Sequence, residues 1–88
     1  MATAIQNKPI ETLRERGSLK CTIWKNSSTK GSYFSAEFSR TYRTEQGYAD
    51  SRSFNAGDLL VIARLATKAH DRIGELRVKD AAEKRASQ

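Results

Sequence analysis

From Leu19 to Arg43 the chain alternates apolar and polar side chains, LKCTIWKNSSTKGSYFSAEFSRTYR, with the alternation interrupted at NSSTKG. A period of two marks strands with one buried face, and a short polar run ending in glycine between two such segments predicts a hairpin. Setting Lys25 opposite Ser32 pairs Ile23 with Phe34, Cys21 with Ala36 and Leu19 with Phe38 on one face. The other face then carries Trp24 with Tyr33, Thr22 with Ser35 and Lys20 with Glu37. A slip of one residue mixes apolar with polar partners, so this pairing predicts a core face and a wet face, the wet one holding two large rings.

A second turn, RTEQG, leads into GYADSRSF. With Tyr42 opposite Tyr48, Arg40 meets Asp50 and Ala36 meets Phe54, so opposite charges face each other. Phe34, Ala36, Phe38 and Phe54 line the core, with Tyr42, Tyr48 and the Arg40 to Asp50 pair at its rim. Ser35, Ser39, Thr41, Ser51 and Ser53 fall beside Trp24 and Tyr33. The expected unit is an antiparallel meander of three to four strands with one greasy and one hydroxyl-rich face.

After Phe54 the period changes to that of a helix. Asn55 is the expected N-cap and Asp58 the acid of the first turn. At 100° per residue, Leu59, Ile62, Ala63, Leu65, Ala66, Ala69, His70, Ile73 and Leu76 share an arc roughly 160° wide, broader than the roughly 100° needed to cover one sheet. Leu60 and Val61 lie outside it. The surplus apolar surface predicts a second cover, for which another copy of the chain is the economical choice. The expected dimer contacts are Leu60, Val61, Leu65, Ala69 and Leu76.

The fold class is therefore α+β, a meander followed by one long amphipathic C-terminal helix. Residues 1–17, polar and broken by Pro9 and Gly17, are expected as a mobile arm with a helical turn around Glu11 to Arg16. Residues 18–76 form the single domain, and 77–88 a basic tail or helix extension. The chain has 88 residues, enough for one domain that buries only about 60 to 65% of its unfolded surface.

Charge changes the picture more than size. Sixteen Lys and Arg against ten Asp and Glu give +6, which favours polyanionic partners. The excess is +1 in the arm, +3 in the strand region and +2 in the tail, with none over 55–76. All seven aromatic residues also lie within 18–54. Cations beside exposed rings bind single strands, since phosphates pair with the charge and every base stacks on an aromatic face. The candidates are Trp24 and Tyr33 for stacking and Lys20, Lys25, Lys30, Arg43 and Arg52 for phosphate. The same two rings also serve as a cross-strand pair that steadies the hairpin by about 0.2 to 1 kcal/mol, and both roles stay open.

Catalytic patterns are missing. His70 is the only histidine and is expected as a hydrogen-bonded core residue. Cys21, the only cysteine, is expected to pack as a small hydrophobe, and no intrachain disulfide is open to it. Metal-ligand spacings and phosphate-cradling glycine loops are absent. No enzyme and no cofactor are expected. With no secretory core near the N-terminus and no apolar run of about 18 residues, the expectation is a cytoplasmic protein away from the membrane.

WKN near a first strand, FSR in the second, GYADSRSF and LLVIARLATKAHDRI together resemble a group of small uncharacterised bacterial proteins met on mobile elements and in planctomycete genomes. The match covers roughly residues 19 to 73. More distantly, SRSFNAGDLLVIARLATKAHDRI is similar to the last strand, turn and dimer helix of the single-stranded DNA-binding fold shared by transcriptional positive cofactor four and the Whirly proteins. That second resemblance implies a sheet crossed by unpaired DNA and a helix that builds a dimer, and it carries over no individual residue. The expected function is a small DNA-binding module for single-stranded nucleic acid that self-associates. A non-enzymatic homo-oligomeric protein-interaction module is the alternative, with duplex DNA bound through the basic tail as a third.

Overall fold

A computed structural model of the chain describes residues 7–86. The elements are β1 (Asn7–Arg14), β2 (Leu19–Ser28), β3 (Gly31–Thr44), β4 (Gly47–Ser51), a single 3-10 turn over Ala56–Asp58, and α1 (Leu59–Ala86). The strands form one antiparallel sheet in the order β1-β2-β3-β4, with α1 laid on one face. The chain is an α+β protein, a four-stranded meander followed by one helix.

Two tight turns decide the register. Ser28 is the Cα partner of Gly31, and Thr44 that of Gly47, so each hairpin loop is two residues long. The same hydroxyl latch holds both: Ser28 Oγ accepts from the Lys30 N–H at 3.2 Å and donates to the Gly31 carbonyl at 3.0 Å, and Thr44 Oγ1 does likewise with Gln46 and Gly47 at 3.2 and 3.1 Å. Gly31 and Gly47 sit at φ 120° and 127°, where a Cβ is strained.

The expected registers shift accordingly. Between β2 and β3 the slip is two residues: Trp24 faces Ser35, Ile23 faces Ala36 and Cys21 faces Phe38. A shift of two keeps every side chain on its predicted face. Between β3 and β4 it is one residue, with Tyr42 opposite Ala49 and Thr41 opposite Asp50. That slip carries Tyr48 and Asp50 to the Trp24 side and Ser51 to the helix side. Arg40 consequently meets not Asp50 but Asp58, at 3.9 Å.

The arm expected over 1–17 is a strand over Asn7–Arg14, and no helical turn forms at Glu11 to Arg16. Residues 1–6 lie outside the described residues. A bulge between Pro9 and Glu11 breaks its period of two, then sets Glu11 opposite Ile23 and Leu13 opposite Cys21, both toward the helix.

The core is a single row, Leu19, Cys21 and Ile23 from β2 beneath Leu65 and Ala69 from α1. Cys21 packs as the expected small hydrophobe, and burial pushes its thiol pKa up. Leu13, Phe34, Phe38, Phe54, Ile62 and Ile73 surround the row and remain partly exposed. Asn55 starts the helix as expected: its N–H donates to Asp58 Oδ2 and its carbonyl accepts from the Asp58 N–H, each at 2.9 Å. Past residue 76 the tail continues the helix to Ala86. The buried stripe is narrower than the predicted arc. Leu59 and Leu60 face solvent, and so does His70, whose side chain is 88% exposed beside Asp71 and is no core residue.

Ion pairs fasten α1 to the β1 side of the sheet. Arg72 Nε lies 2.8 Å from Glu11 Oε1, Arg64 Nε 3.5 Å from Glu15 Oε1, and Lys25 Nζ 2.8 Å from Asp80 Oδ1, while Lys68 bonds the other oxygen of Glu15. The Lys68 hydrogen bond, aided by both cations' charge, holds the Glu15 carboxyl below its usual pKa.

Two stability predictions follow from this packing. Leu65→Ala empties the centre of the core and costs about 2–5 kcal/mol in urea unfolding, whereas Leu60→Ala on the exposed side costs less than about 0.5 kcal/mol. Because its folded pKa is depressed, Glu15 contributes stability above the ordinary glutamate range and loses it as pH falls through the lowered value. Glu15→Gln therefore lowers the unfolding midpoint at neutral pH, and the difference from wild type closes as the pH falls through the lowered value. A difference that persists at the acid end would show that the contact is not ionic.

Candidate nucleic-acid interface

With these registers, the side chains opposite the helix follow from alternation along each strand. β1 contributes Thr12 and Arg14; β2 contributes Lys20, Thr22, Trp24 and Asn26; β3 contributes the odd residues Tyr33 to Arg43; and β4 contributes Tyr48 and Asp50. No other described element packs over this face.

Three rings stand on it. Trp24 is half-buried, Tyr33 is 54% exposed and Tyr48 is 77% exposed. Trp24 and Tyr33 are not direct cross-strand partners: Trp24 faces Ser35, and Tyr33 faces Asn26. They are diagonal neighbours on one face, a separation of about 7 to 8 Å. Asn26, buried at the foot of this end, donates through Nδ2 to Ser35 Oγ at 2.9 Å. Tyr48 lies at the other end, beside Arg43, roughly eight residues or about 27 Å along β3 from Ser35.

Between the two ends lies a polar depression of about 600 Å³ lined by Lys20, Thr22, Trp24, Glu37, Ser39, Asp50 and Arg52. Each of its cations is already bonded to an acid. Lys20 Nζ is 3.3 Å from Asp50 Oδ2, Thr41 Oγ1 donates to Asp50 Oδ1 at 2.8 Å, and Arg52 bonds Glu37. The Thr41 hydrogen bond first, then Lys20 and the charge of Arg14, hold the Asp50 carboxyl below its usual pKa. Arg52 nonetheless remains largely exposed.

Of the five expected phosphate contacts, Lys20 and Arg52 are on this face, and Arg43 is exposed beside Tyr48. Lys30 is exposed in the β2–β3 turn at its margin. Lys25 is elsewhere: it points to the helix side, where Asp80 holds it and its ammonium lies 5.9 Å from the Phe34 ring centre. Sequence reasoning missed Arg14 and Tyr48. A polar arm hid the first. The second needed the two-residue turn, signalled by the shared Ser/Thr-x-x-Gly form of STKG and TEQG.

The expected oligomer contacts fare differently from one another. Leu65 and Ala69 are fully used inside the subunit core, and Val61 and Leu76 are half-buried against it. Only Leu60, 75% exposed, is open surface. Among the described residues no three His, Cys, Asp or Glu side chains gather as a metal-binding group, and no helix is long and apolar enough to cross a membrane. No protein-family model, curated protein or solved structure matches the chain.

Proposed function

We propose that the sheet face opposite the helix binds single-stranded nucleic acid, DNA being the first ligand to test. The observation that carries the reading is one open face holding Trp24, Tyr33 and Tyr48 together with Arg14, Lys20, Arg43 and Arg52. Rings offer π-faces to bases, and each base stacked on an aromatic side chain contributes about 1 to 3 kcal/mol. The cations meet the phosphates between them. The order of elements, strands followed by one helix, also agrees with the resemblance to the fold of cofactor four and the Whirly proteins. A chain laid from Trp24 to Tyr48 spans about 27 Å, or about four to eight nucleotides depending on how far its bases stay stacked.

The carboxylates set the strength of this site. Phosphate must compete with Asp50 for Lys20 and with Glu37 for Arg52, so the wild-type face is a modest anion binder at neutral pH. This predicts weak, salt-sensitive binding rather than tight capture.

Titrating a fluorescent single-stranded oligonucleotide of about ten nucleotides at two salt concentrations tests the reading. Binding is expected to weaken with salt, to fall about 5- to 100-fold in Trp24→Ala, and to exceed that for the matching duplex. Indifference to salt and to Trp24→Ala together would remove the proposal. In the same assay Asp50→Asn and Glu37→Gln each release a cation and are expected to tighten binding and steepen the salt dependence. Weaker binding in both variants would mean that the carboxylates position the ligand instead of competing with it.

A further inference from the structure

The depression between Lys20 and Asp50 has a neighbour on the same face. This second hollow, of about 640 Å³, shares Trp24, Glu37 and Arg52 with the first and adds Asn26 and Ser35. Phe38 and Phe54 give it an apolar outer wall. The Arg52 to Glu37 ion pair is common to both hollows.

Topology sets the order of these groups across the sheet. Trp24 is on β2, Ser35 and Glu37 are on β3, and Arg52 reaches in from the segment after β4, on the far side of β3. An indole therefore stands on one side of the hollow and a guanidinium, 77% exposed, on the other. Both offer flat faces to a nucleobase. Between them lie a hydroxyl and a carboxylate two residues apart on one strand face, about 7 Å along β3. A base held in the hollow has stacking partners at its sides and polar groups at its edge.

Those polar groups have defined senses. Asn26, only 6% exposed, donates through Nδ2 to Ser35 Oγ at 2.9 Å. With Ser35 Oγ already accepting, and no acceptor among the described residues taking its proton, the hydroxyl presents a donor to a ligand. Glu37 presents only acceptors. Arg52 bonds its Oε2, and Oε1 has no partner among the described residues. Each carboxylate oxygen accepts more than one hydrogen bond, so the group has room for two further N–H donors while Arg52 fixes its position.

We propose that this hollow is a subsite for one unpaired guanine base, an inference that rests on reading the sheet face as a single-strand binder. Guanine alone among the four DNA bases sets two N–H donors side by side, N1–H and the 2-amino group, next to a carbonyl acceptor, O6. The Glu37 carboxylate takes the two donors and the Ser35 hydroxyl donates to O6. Adenine and cytosine place a ring-nitrogen acceptor beside their amino group, so one carboxylate oxygen meets a lone pair. Thymine has a single N–H flanked by two carbonyls. Glu37 is thus the residue that reads the base, while Asn26 and Arg52 are positioning residues that hold Ser35 and Glu37 in the required senses.

The test compares thymidine oligonucleotides of about ten nucleotides that carry, at one central position, dG, dA, dC or deoxyinosine, which keeps O6 and N1–H but lacks the 2-amino group. The dG strand is expected to bind about 5- to 100-fold more tightly than the dA and dC strands. Deoxyinosine is expected to bind at least about threefold more weakly than dG. In Glu37→Gln an amide donor replaces one acceptor, and the dG advantage should fall to within about twofold of unity. The all-thymidine strand should still bind that variant at least as well as wild type, which shows that it is folded. Equal binding of all strands, preference for another base, indifference to the 2-amino group, or a dG advantage that survives Glu37→Gln each overturns the guanine inference. The sheet-face reading survives any of these as long as salt and Trp24→Ala weaken binding of the all-thymidine strand. Where neither does, both fall.

Discussion

One helix cannot roof four strands. The outer strands of such a sheet lie about 14 Å apart, with side chains beyond them, and a helix with its side chains is about 10 to 12 Å across. α1 lies chiefly over β2, so full burial reaches the β2 row of Leu19, Cys21 and Ile23 under Leu65 and Ala69 and little else. The margins are left half-covered, Leu13 on one side and Phe34, Phe38 and Phe54 on the other. The chain treats those margins in opposite ways. Toward β1 it uses long charged side chains whose heads find acids, as Arg72 and Lys68 do. Toward β3 the helix carries small side chains together with Arg77, above a strand whose first half has no outer neighbour among the described residues.

That asymmetry also sorts the charges. On the helix side Lys25, Arg40, Arg64, Lys68 and Arg72 each lie against a carboxylate. Exposed pairs of this kind stabilise by about 0 to 1 kcal/mol apiece, so their larger effect is on where the helix sits. On the opposite face Asp50 and Glu37 hold Lys20 and Arg52, leaving Arg43 and Lys30 exposed with no ion-pair partner among the described residues. The carboxylates thus keep the middle of the face near neutral while its ends stay cationic and aromatic. A uniformly basic sheet would bind any polyanion. With bonded carboxylates at its centre, this face leaves unpaired charge only toward its ends.

Most of the fold was legible because burial imposes periodicity. The alternation from Leu19 to Phe38 and the helical spacing of Ile62, Leu65, Ala69, Ile73 and Leu76 both record the same contact, and Asn55 with Asp58 marks where one gives way to the other. β1 escaped because it is an edge strand. Only Leu13 of its residues reaches the core margin, the bulge breaks its alternation, and Lys8, Pro9 and Arg14 make it read as a tail. Register was the weaker part. The face assignments of β2 and β3 survived a slip of two residues, but a slip of one at β4 moved Tyr48 and Asp50 across the sheet, and only the turn chemistry of TEQG distinguishes the two alignments. His70 shows the limit of an angular argument: it lies within the apolar arc, yet the sheet is too far to its side for the helix to bury it.

β3 presents three independent surfaces over the same few residues. Tyr33 and Ser35 project to the open face, Phe34 and Ala36 project beneath the helix, and the backbone groups of Phe34 and Ala36 project sideways in the plane of the sheet. A strand added at the edge takes up only the third set, because ladder bonds run in the plane and side chains stand perpendicular to it. It therefore leaves Trp24, Tyr33 and Tyr48 uncovered, so whether the edge is filled and whether the open face is occupied are independent of each other.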